Sequence, residues 1–280
     1  MSTTKSVGTP LGGHFKLGSK QCPSSKKKKD EMQNVLYASA VGSLMYAMVC
    51  TRLDLSYVVG VVSRFLSNPD KEHWAAVKWI LIYLRGLSKM CLRFGCDQPV
   101  LETFTNADMA GDVDSRKFTL GYLITYAGGA VSWKSRLHKC VVLSTTEVEY
   151  ITTTKACKET LWMKKFLQEL GQVQDKYVLH CDSQSVIHLS KNSSFHARSK
   201  HIDVRYHWIC DVLETKAVQI EKVHTVDNGS NMMTMTIPKD KLEACLSRTG
   251  MVDPSTKLGG GVCLVSPSYV EVDLTWSSFK

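Results

Sequence analysis

The stretch 118–155, FTLGYLITYAGGAVSWKSRLHKCVVLSTTEVEYITTTK, decides the fold. Two apolar runs, Phe118–Tyr126 and Ala130–Trp133, flank Gly128-Gly129, which predicts a β-hairpin. The period then changes. Ser144-Thr145-Thr146-Glu147 has the spacing of a capping box: the Ser144 hydroxyl can accept from the Glu147 backbone N–H, and the Glu147 side chain can reach back. A long helix follows through Val148, Ile151, Leu161, Trp162 and Phe166, ending near Gly171. The β-branched run Thr152–Thr154 weakens it locally.

Reading outward from this core, Pro99–Thr105 is a strand upstream. Downstream, Tyr177–Cys181 is a strand and Asp182 opens a helix through Val186 and Leu189. Residues 199–214 form a basic amphipathic helix with Ile202, Tyr206, Ile209 and Leu213 on its apolar face. Val218–Val223 is a fifth strand, and a short helix lies near 229–235. The order βββαβααβα predicts an α/β domain over 99–240, with a mixed five-stranded sheet flanked by helices.

A small all-helical subdomain precedes it over 31–98, with three helices at about 31–50, 54–67 and from Asn68-Pro69 to Gly86. Asn68 is the expected cap and Pro69 the first helical residue. Val35–Cys50 is uncharged, but sixteen residues are short for a bilayer span, so a buried core helix is expected. Residues 1–30 lack periodicity and predict a disordered basic tail. Residues 241–280 predict a short helix and a poorly ordered end, with 262–276 an apolar stretch lacking a partner.

The chain carries 35 Lys+Arg against 26 Asp+Glu, a formal +9. Residues 1–30 hold seven lysines and one acid, so two thirds of the excess sits there. Charge alone is therefore a weak pointer to a polyanionic partner. The start, MSTTKSVGTPLGG, has no apolar h-region, which argues against secretion and for a cytoplasmic or nuclear location. The ten cysteines form no CxxC or zinc spacing and read as free thiols. No Walker loop, GxSxG or dinucleotide fingerprint is present. Oligomeric state is not legible.

Acidic residues at the end of a first strand, in the first long helix and after the fourth strand would converge at one sheet edge. Such a cluster suits hard divalent cations, which can activate water for phosphodiester cleavage. At this point the motifs resemble a known family. YASAVGSLMYAMVCTRLDLSYVVGVVSRF (37–65), FTNADMAGD (104–112), SRKFTLGYL (115–123), LSTTEVEY (143–150), CDSQSVI (181–187) and RSKHIDVRYHWI (198–209) together resemble the C-terminal part of copia-type LTR retrotransposon Pol polyproteins. The resemblance covers roughly residues 10–250.

It implies a reverse-transcriptase connection followed by an RNase H-like domain that cleaves the RNA strand of an RNA/DNA hybrid with two Mg²⁺. It assigns the helix carboxylate to Glu149, in agreement with Glu147 being the capping partner, and the third carboxylate to Asp182. The first and fourth positions carry Asn106 and Asn231 where the family has Asp. Met235 stands where the family has Lys, and Leu53 where it has Pro.

Two of four metal-binding carboxylates are thus replaced by neutral amides. Loss of partners that merely orient ligands typically costs metal sites roughly 10–100-fold, and losing ligands costs more. The Mg²⁺ site is expected to be weakened or absent and the ribonuclease impaired. Asp108 shares a strand face with Asn106 and is a candidate substitute. Arg198, Lys200 and Arg205 read either as a solvated helix face or as phosphate contacts, and the resemblance favours the second. Asp203 and His224 read as an ion-pair residue and a structural histidine. The adjacent aspartates of a polymerase site do not occur, so polymerase activity is not expected. The alternatives are a non-catalytic nucleic-acid-binding module and an interaction remnant with no nucleic-acid role.

Overall fold

The computed structural model describes residues 6–109, 111–191, 208–254 and 262–265. Its main sheet has five strands: β2 (Leu101–Asp108), β3 (Thr119–Tyr126), β4 (Gly129–Leu137), β5 (Val178–Cys181) and β6 (Gln219–Lys222), in the order β4-β3-β2-β5-β6. β2, β3 and β4 form an antiparallel meander, and β5 and β6 run parallel to β2. That mixed order, with helices on both faces, is the RNase H-like α/β architecture the motifs imply.

The hairpin forms as its apolar runs require, with the turn one residue earlier than expected. Tyr126 pairs with Gly129, so the two turn residues are Ala127 and Gly128, both at positive φ (50° and 79°). Two positive-φ residues match the right-handed strand twist. Gly129 instead begins β4, where a Cβ would fall 2.5 Å from the Arg93 carbonyl oxygen.

The long helix α5 (Thr145–Glu169) crosses one face. Ser144 caps it, accepting from the Glu147 N–H at 3.2 Å, while the Glu147 carboxylate reaches back to the Leu143 N–H at 2.9 Å. Thr152, Thr153 and Thr154 are buried, and each hydroxyl donates to the carbonyl four residues earlier. Their short side chains let α5 approach β2, where Thr160 and Thr103 hydroxyls meet at 2.8 Å. With α6 (Gln184–Lys191) and α7 (Trp208–Glu214), this face encloses a core that includes Leu120, Ile124, Ile151, Leu179 and Ile220.

The opposite face is covered by the helical part: α1 (Lys26–Gln33), α2 (Tyr37–Cys50), α3 (Ser56–Val62) and α4 (Lys71–Gly86). Val41, Leu44, Val58 and Ile80 join Phe104 and Leu123 of the sheet in one apolar cluster. The helical part therefore shares a core with the sheet and is not a separately cored subdomain. α2 is a buried core helix, as expected, and no described helix is long and apolar enough to cross a membrane. α4 is capped by Asp70, whose backbone N–H in turn donates to His73 Nδ1 at 2.9 Å, so Asn68-Pro69 lies before the helix. The buried Arg52–Asp54 pair (2.6 Å) joins Tyr83, whose hydroxyl donates to Asp54 at 2.8 Å, tying the α2–α3 junction to α4.

Two expectations are corrected at the ends of the chain. Residues 6–30 do not form a disordered tail. Leu11 and Leu17 are buried in the helical core, Trp79 Nε1 donates to the Thr9 carbonyl, and Ser19 donates to Asp114 through its N–H and hydroxyl. Two isolated leucines suffice to dock a Gly-rich segment, but they have no period to betray it. The lysine run itself is helical, capped by Ser25. Towards the other end, α8 (Lys239–Arg248) buries Leu242, Cys245 and Leu246, and β1 (Cys91–Phe94) pairs antiparallel with both β7 (Met251–Val252) and β8 (Val262–Val265). The partner missing from the sequence reading of 262–265 is β1, about 170 residues upstream.

Candidate active site

β2 and β5 are parallel and in register, with Thr105 opposite Cys181. Asn106 follows Thr105 on β2, and Asp182 follows Cys181 just beyond the end of β5. Glu149, in the second turn of α5, lies near Ser183, Asp182 and Lys222 after β5 and on β6. Burial pushes the Glu149 carboxyl above its ordinary range; a hydrogen bond with Ser183 opposes this, nearby Asp182 adds to it, and Lys222 opposes it. Lys222 also donates from Nζ to the Asp182 carbonyl at 2.5 Å, which holds the loop after β5.

Asn231 arrives from the other direction, on a 3-10 turn at Gly229–Met233. Asn106 Nδ2 donates to Asn231 Oδ1 at 2.9 Å and to the Thr234 hydroxyl at 2.9 Å. Asn106 Oδ1 accepts from the Ala107 N–H at 2.9 Å, and Asn231 Nδ2 donates to the Thr225 carbonyl at 2.6 Å. Each amide oxygen already accepts a hydrogen bond within this network. Gly121, opposite Asn106 on β3, makes room for the turn: a Cβ there would fall 2.7 Å from side-chain carbons of Met233 and Thr234.

Asn228 escaped the sequence reading. It is fully buried, and its Nδ2 donates to the Thr105 carbonyl at 2.8 Å, directly before Asn106. Its Oδ1 accepts from the Ser230 N–H at 3.2 Å and hydroxyl at 2.6 Å. Asn228 therefore locks the turn carrying Asn231 onto β2. The signal present was the tight-turn dipeptide Asn228-Gly229.

Asp108 is half-buried, which raises its carboxyl above the ordinary range. It ends β2, with its carboxylate against Gly111, and its charge is felt at Tyr57 of α3. The charges felt at Glu149 are those of Asp182 and Lys222. His224 is a cap, its Nδ1 accepting from the Val226 N–H at 3.3 Å. Met235 is exposed. Arg198, Lys200, Asp203 and Arg205 lie outside the described residues. Among the described residues no three His, Cys, Asp or Glu side chains gather to hold a metal ion.

No family model matches the chain. It is 57% identical over 251 residues to the "Retrovirus-related Pol polyprotein from transposon TNT 1-94" of Nicotiana tabacum, covering 90% of this chain and 19% of that one. It is 35% identical over 271 residues to the corresponding polyprotein from transposon RE1 of Arabidopsis thaliana, covering 96% and 17%. Among solved structures it matches the N-terminal RNase H domain of a Mycobacterium tuberculosis protein, solved as a fusion with maltose binding protein, at 11% identity and a TM-score of 0.32, covering 53% of this chain and 96% of that one. The chain spans about a fifth of the length of the two polyproteins. On its similarity to the two polyproteins, the chain belongs with the retrovirus-related Pol polyproteins of copia-type transposons, matching about a fifth of their length.

Proposed function

We propose that this chain is a nucleic-acid-binding RNase H-like region whose divalent-metal-dependent cleavage of RNA in RNA/DNA hybrids is impaired. The observation that carries this reading is the amide pair. Asn106 Nδ2 donates to Asn231 Oδ1 at 2.9 Å, and the rest of each amide is satisfied by neighbouring backbone. Two carboxylates at that distance would repel unless a cation lay between them. The amides remove both the repulsion and the charge that would draw the cation. What remains as anionic donors is Glu149 and Asp182. That set does not fit a centre for two Mg²⁺ ions, which need oxygen ligands beyond their waters. Asp108, turned towards Gly111 and Tyr57, does not make up the loss.

The partner in this reading is an RNA/DNA hybrid, held through backbone phosphates, with Arg198, Lys200 and Arg205 as contacts. The test is hybrid cleavage in Mg²⁺ and in Mn²⁺. The natural chain is expected to show no metal-dependent cleavage, and the double reversion Asn106→Asp with Asn231→Asp to gain it. Adding Glu149→Gln to the revertant should abolish the gain. Cleavage by the natural chain that Glu149→Gln removes would overturn the reading.

A further inference from the structure

On the α5 side of the sheet, beside edge strand β4, lies a cleft of about 460 Å³. Lys134 and Arg136 project into it from β4, opposite Tyr122 and Leu120 of β3. Lys155 and Lys158 line it from α5, one turn apart, with the Lys158 ammonium 5.2 Å from the Trp208 ring centroid, and Lys139 lines it from the loop after β4. All five cations are exposed. The cleft's single carboxylate, Glu159, is engaged by the Ser132 hydroxyl at 3.4 Å and by Tyr122. Lys134, Arg136 and Lys139 make no ion pair with any described residue. This surface is not an extension of the Asn106 network. Thr103 of β2 points to α5, whereas Asn106 points to the opposite face and Thr234.

Five cations around one occupied carboxylate make a cleft that attracts anions, and its geometry is periodic. Lys134 and Arg136 stand two residues apart on one strand face, about 7 Å, on the order of the spacing between consecutive phosphates of a nucleic-acid strand. We propose that the cleft is a second, separate phosphate-binding site. It would take the sugar–phosphate backbone of a nucleic-acid strand, with Lys134 and Arg136 on one wall and Lys155 and Lys158 on the other. The inference rests on the nucleic-acid reading above but not on cleavage, so its test is a binding measurement.

The experiment is fluorescence anisotropy of the full chain with a labelled RNA/DNA hybrid across a salt series. Polyglutamate of matched charge serves as the non-nucleic polyanion. Replacing Lys134→Ala with Arg136→Ala is expected to weaken hybrid binding about tenfold and to lower the slope of log affinity against log salt by about 2. Lys139→Ala, on a different segment, should lower the slope by about 1, and Arg136→Lys should leave it unchanged. Circular dichroism melts confirm that each variant folds. Binding by the natural chain that neither alanine variant alters overturns the cleft and leaves the nucleic-acid reading standing. No binding by the natural chain overturns both. Equal loss of polyglutamate and hybrid binding overturns the phosphate assignment.

Discussion

Asn228 and Asn106 show how much of this molecule depends on single amides. Asn228 has no exposed surface, and three hydrogen bonds converge on its side chain. Asn228→Ala would strand the Thr105 carbonyl and the Ser230 donors in the core. Each buried unsatisfied polar group costs about 1–3 kcal/mol. A loss of about 3 kcal/mol in urea unfolding is expected, with the fold kept. Asn106→Asp, made alone and without metal, sets a carboxylate oxygen against Asn231 Oδ1 and removes the donor to Thr234. A destabilisation of about 1–2 kcal/mol is expected by the same measurement, and millimolar Mg²⁺ should not restore it until Asn231→Asp is added. Glu149 and Asp182 were legible because the family pattern assigns both, and the capping role of Glu147 agrees with Glu149. Asn228 was not, because its role depends on the carbonyl of a residue 123 positions earlier.

At the scale of elements, local chemistry predicted well where the signal was local. The hairpin, the Ser144 cap and the five strands follow from alternation, capping spacing and turn residues, each confined to a few positions. Failures occurred where two local solutions competed. Ala127-Gly128 and Gly128-Gly129 both suit a tight turn, and the choice fell on the first because Gly129 is needed under the Arg93 carbonyl. That choice leaves an alanine at φ 50°, a conformation costing about 1–2 kcal/mol for a non-glycine residue. Ala127→Gly is therefore expected to stabilise the chain by about 1 kcal/mol, after the entropy that glycine adds to the unfolded state. Gly129→Ala should destabilise it by more than 2 kcal/mol, since backbone, and not a flexible side chain, occupies the Cβ position. Equilibrium unfolding of the two variants decides both, and opposite signs at adjacent glycine-rich positions would fix the turn at 127–128.

At the scale of the whole molecule, helices and sheet share an apolar cluster, and Leu11 and Leu17 belong to it. Leu17→Ala should cost about 2–3 kcal/mol, whereas a free tail would register no change. A second tie between the parts is polar. Asp112 in the β2–β3 connection accepts from Arg64, near the end of α3, at 2.6 Å, and Ser115 donates to the same carboxylate from its N–H. Burial alone would raise the Asp112 pKa, but the Ser115 hydrogen bonds and the Arg64 guanidinium together hold it below the ordinary carboxylate value.

The folded pKa is thus depressed relative to the unfolded one. The pair's contribution is complete above the unfolded value of about 3.9 and is lost as pH falls through the folded value. Asp112→Asn is expected to destabilise the chain by about 2 kcal/mol at pH 7. The gap from the natural chain should close as pH drops below about 4. Comparing the two chains at each pH cancels the opposite drift from Asp108 and Glu149, whose raised pKa values favour the protonated fold. A gap that stayed constant down to pH 2.5 would mean that Asp112 acts only as a hydrogen-bond acceptor and that its charge does not hold the helices to the sheet.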